Sequence, residues 1–170
     1  MDMKYCAECG TKLVEKPDRE GNLVPYCETC QKFRFPVFNT AIIAIILNPA
    51  QDKVLLIQQY GKKDNILVAG YVNKGENLEH ALAREIREEL GREVIAYQYM
   101  SSQYFASSQT LMCAYVCQID EEDLSQINYE VDRAAWFDFV DAVKKIKDKS
   151  LAQKFLIEAL EDLKMHHFEI

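Results

Sequence analysis

The stretch Gly70–Arg92, GYVNKGENLEHALAREIREELGR, decides how this chain is read. The loop Lys74-Gly75-Glu76-Asn77 leads into a helix over Leu78–Leu90, with Asn77 as its N-cap and Gly91 as its stop. At about 100° per residue, Leu78, Leu82, Ile86 and Leu90 form a drifting apolar stripe. By the same arithmetic Glu85 and Glu89 project within about 20° of Leu78, toward the core side. Glu88 lies beside them, beyond Ala81, whereas Glu79, His80 and Arg87 take the outer face. Like charges this close repel by a few tenths of a kcal/mol when exposed and by more when buried. A solvated charge run is the ordinary reading of a Glu-rich helix, and it fits this periodicity poorly. Inward carboxylates require a cation or a proton. An oxygen-only cluster suits a hard divalent ion, Mg²⁺ or Mn²⁺. Such ions bind phosphate-bearing substrates and activate water.

Strands flank this helix. Val37–Leu47 contains the apolar run AIIAIIL and reads as a buried strand; Asn48–Asp52 is a turn, and Val54–Tyr60 a second strand. Further strands are expected over 66–72, 94–100, 111–119 and 135–137, with the polar segment 120–126 between the last two. An amphipathic helix over about 151–165 closes the chain, with His166 and His167 in a solvated tail. Mixed strands with one central and one terminal helix indicate an α+β or α/β sandwich.

The six cysteines fall into two groups. Cys6, Cys9, Cys27 and Cys30 form two C-x-x-C pairs with the spacing of a four-thiolate zinc site. Each pair lets two thiolates reach one ion, and Gly10 suits a tight turn after the first pair. Disulfides are disfavoured in a reducing compartment. A redox motif calls for one such pair after a strand, not two matched pairs in a Gly/Pro/charge-rich segment. Residues 1–34 hold little apolar material and need the metal to fold. Cys113 and Cys117, four apart in an expected strand, are too distant to bond each other and read as buried apolar thiols.

A net charge of −7 means the chain is not built to grip nucleic acid through bulk charge. The charges of the cysteine-bearing segment balance, and four bound thiolates would take it negative. No apolar run is long enough for a membrane span, and MDMKYCAECG has no signal-peptide core. A cytoplasmic protein is the expectation.

The segment Gly70–Arg92 resembles the box of the Nudix hydrolases, G-x5-E-x7-R-E-U-x-E-E-x-G-U, with U a bulky apolar residue. Gly70, Glu76, Arg84, Glu85, Ile86, Glu88, Glu89 and Gly91 match; Arg92 stands where the pattern has an apolar residue. The resemblance implies an α+β fold, a Nudix-type α/β/α sandwich with a mixed sheet over residues 35–170, behind a zinc ribbon at 1–34. It implies hydrolysis of a nucleoside diphosphate linked to another moiety. Carried over by position, Glu85 and Glu89 are metal ligands, with Glu88 a further ligand or the group that orients and deprotonates water. The carbonyl of Ala69 is a further metal contact. Glu76 and Arg84 hold the box together, Arg84 also facing Glu88 at i+4.

A four-cysteine ribbon directly ahead of such a domain resembles the NADH pyrophosphatase subfamily. The junction FPVFNTAII, Phe35–Ile43, is similar to its aromatic-Pro entry into the first strand. That subfamily carries S-Q-P-W-P-F-P-x-S, often followed by Leu-Met; the aligned stretch here is SQYFASSQTLM, Ser102–Met112. Ser102, Gln103, Leu111 and Met112 match, Thr110 replaces the second serine, and Tyr104–Ser108 replaces the proline-rich centre. The motif shapes the nicotinamide-nucleotide pocket. The resemblance therefore implies substrate contacts from Ser102, Gln103, Tyr104, Phe105 and Thr110, while the lost prolines leave NADH preference open. A plain polar connection between strands is the competing reading. In EVDRAAWFDF, Glu130 matches a further metal-binding glutamate, with Asp132 a rival and a surface carboxylate the bland alternative; Trp136 and Phe137 are expected in the core. Ala152 matches a substrate-contacting position. Fuller members carry a domain ahead of the ribbon, which is expected to be absent here.

The expected reaction is Mg²⁺- or Mn²⁺-dependent cleavage of NADH or a related dinucleotide into two mononucleotides. ADP-ribose, FAD or a nucleotide sugar are alternative substrates, and capped RNA ends carry the same linkage. A reading of another class is a ribbon-based binding module with incidental hydrolysis; the intact glutamates and the neutral ribbon count against it. Members of the family are commonly dimers, so a homodimer is expected.

Overall fold

The computed structural model describes residues 3–165, so His166 and His167 lie outside the described residues. The chain divides into two compact units, Met1–Asn39 and Thr40–Ile170.

In the first unit, β1 (Val14–Pro17), β2 (Leu23–Cys27) and β3 (Lys32–Phe33) form an antiparallel sheet in the order β1-β2-β3. Asp18 closes the first turn by accepting from the amides of Glu20 and Asn22, each at 2.9 Å. The unit has almost no core of its own: among its described residues the buried apolar side chains are Cys6 and Cys27. Tyr26 and Phe33 meet edge to face at 5.1 Å.

The second unit is built on β4 (Asn39–Leu47), β5 (Lys53–Gln59), β6 (Val68–Tyr71), α1 (Leu78–Leu90), β7 (Val94–Phe105), β8 (Thr110–Ile119), β9 (Val131–Asp138), α2 (Phe139–Lys145) and α3 (Leu151–Met165). The six strands form one mixed sheet in the order β7-β8-β4-β5-β9, with β6 also on β4. Period-two alternation explains the layers. From β4 and β5, Ile42, Ala44, Ile46, Leu55 and Ile57 pack on one face against Ala81, Leu82, Ile86 and Leu90 of α1. The intervening Ile43, Ile45, Leu47, Val54 and Leu56 pack on the other face against Ala142 of α2 and Phe155, Leu156, Ala159 and Leu160 of α3. A strand buried on both faces reads as an unbroken apolar run, which is why AIIAIIL looks as it does. The result is the expected α/β/α sandwich. Cys113 and Cys117 are buried on the α1 face, and burial pushes both thiols up. Trp136 is half-buried on that face, and Phe137 packs on the opposite one.

The helix bounds and caps of α1 match the sequence expectation. Asn77 accepts from the His80 amide at 2.8 Å, and Gly91 adopts the left-handed conformation (φ 65°) with its amide on the Arg87 carbonyl. Four expectations need correction. The short strand expected over 135–137 is the longer β9, paired with β5 along its length. Glu79 is not on a solvated outer face: it is half-buried and accepts from the Tyr115 hydroxyl at 3.2 Å. The strand starting at Val94 runs on to Phe105, so the polar sequence from Ser101 is strand, and only 106–109 is turn. The helix α2 was not expected: its Asp138 N-cap and its last-turn Lys144 and Lys145 are local signals, but no apolar period accompanies them. Its seven residues bury only Ala142, too few to show a period. Among the described residues no helix is long and apolar enough to cross a membrane.

Arg92, the departure from the box pattern, is 6% exposed. Its guanidinium donates to the Asp123 carbonyl and carboxylate and to Glu121, at 2.6, 2.7 and 3.0 Å. It thereby ties the helix exit to the acidic segment, which also presents its Glu122 carbonyl to the Trp136 indole N–H at 3.0 Å.

Candidate active site

Strand β4 changes neighbour along its length. Near Leu47 it pairs with β5, and along Ala41–Ala44 it pairs with β6. A cavity of about 420 Å³ opens there, lined by Ala41, Ala69, Gly70, Tyr71 and Asn73, by Tyr60 and Glu130, by Arg84, Glu85 and Glu89 of α1, and by Ser108, Thr110 and Met112. That volume suits a nucleotide-sized ligand.

Three carboxylates, Glu85, Glu89 and Glu130, therefore share one cavity. Glu89 is 3% exposed. Its Oε1 accepts from Gln59 Nε2 at 2.9 Å, and its Oε2 is buried without a partner. Burial pushes the carboxyl up to about 7; the Gln59 amide opposes this, and the charges of Glu85, Glu130 and Glu88 add to it. Tyr60, at the end of β5, has its phenol raised by burial and then by Glu130, Glu89 and Glu85.

Glu85 is held differently. Arg84 Nη1 reaches it at 2.7 Å and also reaches Glu88 at 3.1 Å. The same guanidinium grips Glu76 at 2.8 and 2.9 Å and the Tyr71 carbonyl at 3.0 Å. Arg84 foremost, then the Asn73 amide, pulls the Glu76 carboxyl down to about 2. Gly70 is explained by packing: a Cβ there would collide with the Glu85 carboxylate. Glu88 is exposed and is not among the residues lining the cavity. Asp132 does not line it either; its carboxylate accepts from the Gly61 amide at 2.6 Å.

The substrate-motif residues part company. Thr110 is buried and lines the carboxylate cavity, as does Ser108, whose hydroxyl bonds Thr110 Oγ1 at 2.9 Å. Gln103 and Phe105 instead line a second cavity of about 540 Å³ against 149–158, where Lys154 Nζ donates to Gln103 Oε1. Ser102 and Tyr104 are exposed on β7. Ala152 is half-buried against the α2/α3 core. Sequence reasoning missed Tyr60, Tyr71, Asn73, Ser108 and Met112. Tyr60 enters the cavity from a left-handed turn (φ 56°) before Gly61, for which its local sequence gives no signal.

The four N-terminal thiols converge, with every Sγ within 4.8 Å of the others. Gly10 (φ 72°) and Gln31 (φ 54°) take the same left-handed conformation after their pairs, so glutamine replaces the glycine of the second turn. Arg34 Nε donates to Cys6 Sγ at 3.2 Å. Burial raises the Cys6 thiol, but the Cys9 and Glu8 amides and Arg34 outweigh it and bring it to about 6. Soft thiolates in this array could hold one metal ion.

Residues 37–159 match the model of the NUDIX domain. The chain belongs to the NUDIX family. The NAD-capped RNA hydrolase NudC of Escherichia coli (strain K12 / DH10B) is 31% identical over 140 residues, 81% of this chain and 52% of that protein. The chain thus spans about half the length of the curated relatives it matches. A NUDIX hydrolase from Nitrosomonas europaea superposes with a TM-score of 0.68 at 18% identity, over 96% of this chain and 93% of that one. The NUDIX domain of Shewanella oneidensis NrtR, complexed with ADP ribose, gives 0.63 at 16% identity, over 81% and 94%. At these identities the structures show the fold. The family's enzymes are hydrolases that use divalent metals.

Proposed function

We propose that the chain is a Mg²⁺- or Mn²⁺-dependent pyrophosphohydrolase that cleaves NADH- or NAD-like dinucleotides into two mononucleotides. The observation that carries this is the buried Glu89 carboxylate, one oxygen unpartnered, in a cavity it shares with Glu85 and Glu130. An unpaired buried carboxylate is costly unless a cation or proton meets it. The donor set is oxygen alone and suits a hard ion held by Glu85, Glu89, Glu130 and the Ala69 carbonyl. When bound, such ions offset the diphosphate's charge and make water a stronger nucleophile.

The chain's own contribution is placement. Gly70 leaves room for the Glu85 carboxylate beside the β6 backbone. Arg84 joins the loop, through Glu76, to Glu85 and Glu88. Glu88, the most exposed of the box glutamates, supplies a further ligand or orients the attacking water. Thr110 and Ser108 offer hydroxyls to the substrate from the cavity wall. In this reading Ser102, Gln103, Tyr104 and Phe105 contact the substrate's second half, with Ala152 beside them.

The NAD-type substrate is supported by the NudC relatives, which are named as hydrolases of NAD-capped RNA. One observation favours a second reading, ADP-ribose, FAD or a nucleotide sugar: Gln103 and Phe105 line a different cavity from Thr110, and Tyr104–Ser108 lacks the prolines of the nicotinamide motif. Residues 1–34 are assigned as a Zn²⁺ ribbon on Cys6, Cys9, Cys27 and Cys30, and 35–170 as the hydrolase domain. A cytoplasmic homodimer completes the proposal, in a compartment where free thiols persist.

A product screen over dinucleotides, ADP-ribose, FAD and nucleotide sugars, each with Mg²⁺ and Mn²⁺, tests it. Mononucleotide pairs from NADH or NAD support the first reading. Turnover confined to the other compounds supports the second, and turnover of none contradicts both.

A further inference from the structure

We infer that Gln59 is a positioning residue whose side-chain amide decides which oxygen of Glu89 is presented to the divalent ion. The inference rests on the carboxylate cavity being an ion site.

Gln59 is 8% exposed and Glu89 3%, so water cannot replace their 2.9 Å contact freely. The contact occupies Oε1 and leaves Oε2 as the single unpartnered oxygen. Alternation on β5 brings Gln59 to this face: Leu55 and Ile57 pack toward α1, and Gln59 continues that series. The choice of an amide matters. Glu85 and Glu88 are paired with the cationic Arg84, but among the described residues no ion pair reaches Glu89. A neutral donor fixes the carboxylate's orientation without neutralising its charge, which stays available to an incoming cation.

The backbone around Gln59 is itself braced. Gln58 lies opposite Arg133 but Gln59 lies opposite Val131, so Asp132 is an extra residue in β9. Such bulges re-aim side chains and recur beside active sites. Here the Asp132 carboxylate takes the Gly61 amide, and the Lys62 amide closes the turn on the Gln59 carbonyl at 3.1 Å. Tyr60 is held left-handed inside that turn. The bulge, the turn and the amide form one support behind Glu89.

The test is Mn²⁺ binding to the full chain, followed by electron paramagnetic resonance of the free ion, for wild type, Gln59→Met and Glu89→Gln. Gln59→Met keeps the shape and removes the donor. We expect its Mn²⁺ affinity to fall about tenfold. We also expect turnover to recover toward wild type as Mn²⁺ is raised, since a merely structural defect would lower turnover at every Mn²⁺ concentration. Gln59→Asn, which draws the amide back by one methylene, gives the same comparison if the methionine variant does not fold. Affinity within twofold of wild type, with Glu89→Gln strongly weakened, overturns the role of Gln59 alone. Unchanged binding in Glu89→Gln overturns the ion site and this inference with it.

Discussion

The Glu85 carboxylate lies where a side chain at Gly70 would begin. The glycine is thus required by a neighbour and not by its own backbone, which stays out of the left-handed region. The three atoms nearest to a methyl group there all belong to the Glu85 side chain, which can swing aside. Gly70→Ala should therefore fold with little loss of thermal stability. Its metal-dependent turnover should fall on the order of 100-fold, because a ligand is displaced. Parallel melting curves and kinetics check this: a large loss of stability, or unchanged turnover, would contradict it.

Glu76 gives a pH dependence with a definite sign. Its folded carboxyl is held near 2, first by Arg84, below the unfolded value of about 4.3. The unfolded state then binds more protons in this window, so the stability from the pair is complete above about pH 4.3 and is lost as pH falls toward 2. Urea midpoints from pH 2 to 6 should show a steeper acid decline in wild type than in Glu76→Gln. Superimposable profiles would remove Glu76 from the acid response.

The ribbon should depend on its metal. With Cys6 and Cys27 the only buried apolar side chains among its described residues, this unit cannot stand on a core. Cys6→Ser or Cys27→Ser should expose this unit to limited proteolysis and lower the bound zinc from one equivalent toward none. The turnover of the remaining domain should change far less. Metal analysis of wild type without zinc would contradict the assignment.

Arg92 offers a test away from the chemistry. It is buried, while its partners Glu121 and Asp123 are largely exposed. Arg92→Ala should cost on the order of 2 kcal/mol through lost packing and hydrogen bonds. Mn²⁺ affinity should stay unchanged. Chemical denaturation alongside ion titration separates the two effects.

What the sequence reveals here follows from how each element is stabilised. The helix α1 was legible to the residue because its caps are local: Asn77 and Gly91 act within one turn of themselves. The buried strand β4 was legible because both faces are apolar. The inward direction of Glu85 and Glu89 followed from helical period. The neighbours of those carboxylates were not legible. Gln59 reaches Glu89, and Tyr60 the cavity, beside a bulge and a left-handed turn that Asp132 holds through the Gly61 amide, more than seventy positions away by chain. Thr110 and Met112 line one cavity and Gln103 and Phe105 another, although Phe105 lies opposite Thr110 and Gln103 opposite Met112 in the β7–β8 hairpin. Periodicity within one segment carries no information about either.

In the proposed reaction the free oxygen of Glu89 meets a divalent ion during pyrophosphate hydrolysis. The most direct measurement is Mg²⁺-dependent turnover of the best substrate by Glu89→Gln, whose amide fills the same space without the charge. The variant should be folded, by melting curve, with turnover reduced on the order of 100-fold or more. Turnover at the wild-type level with the same Mg²⁺ dependence would contradict it.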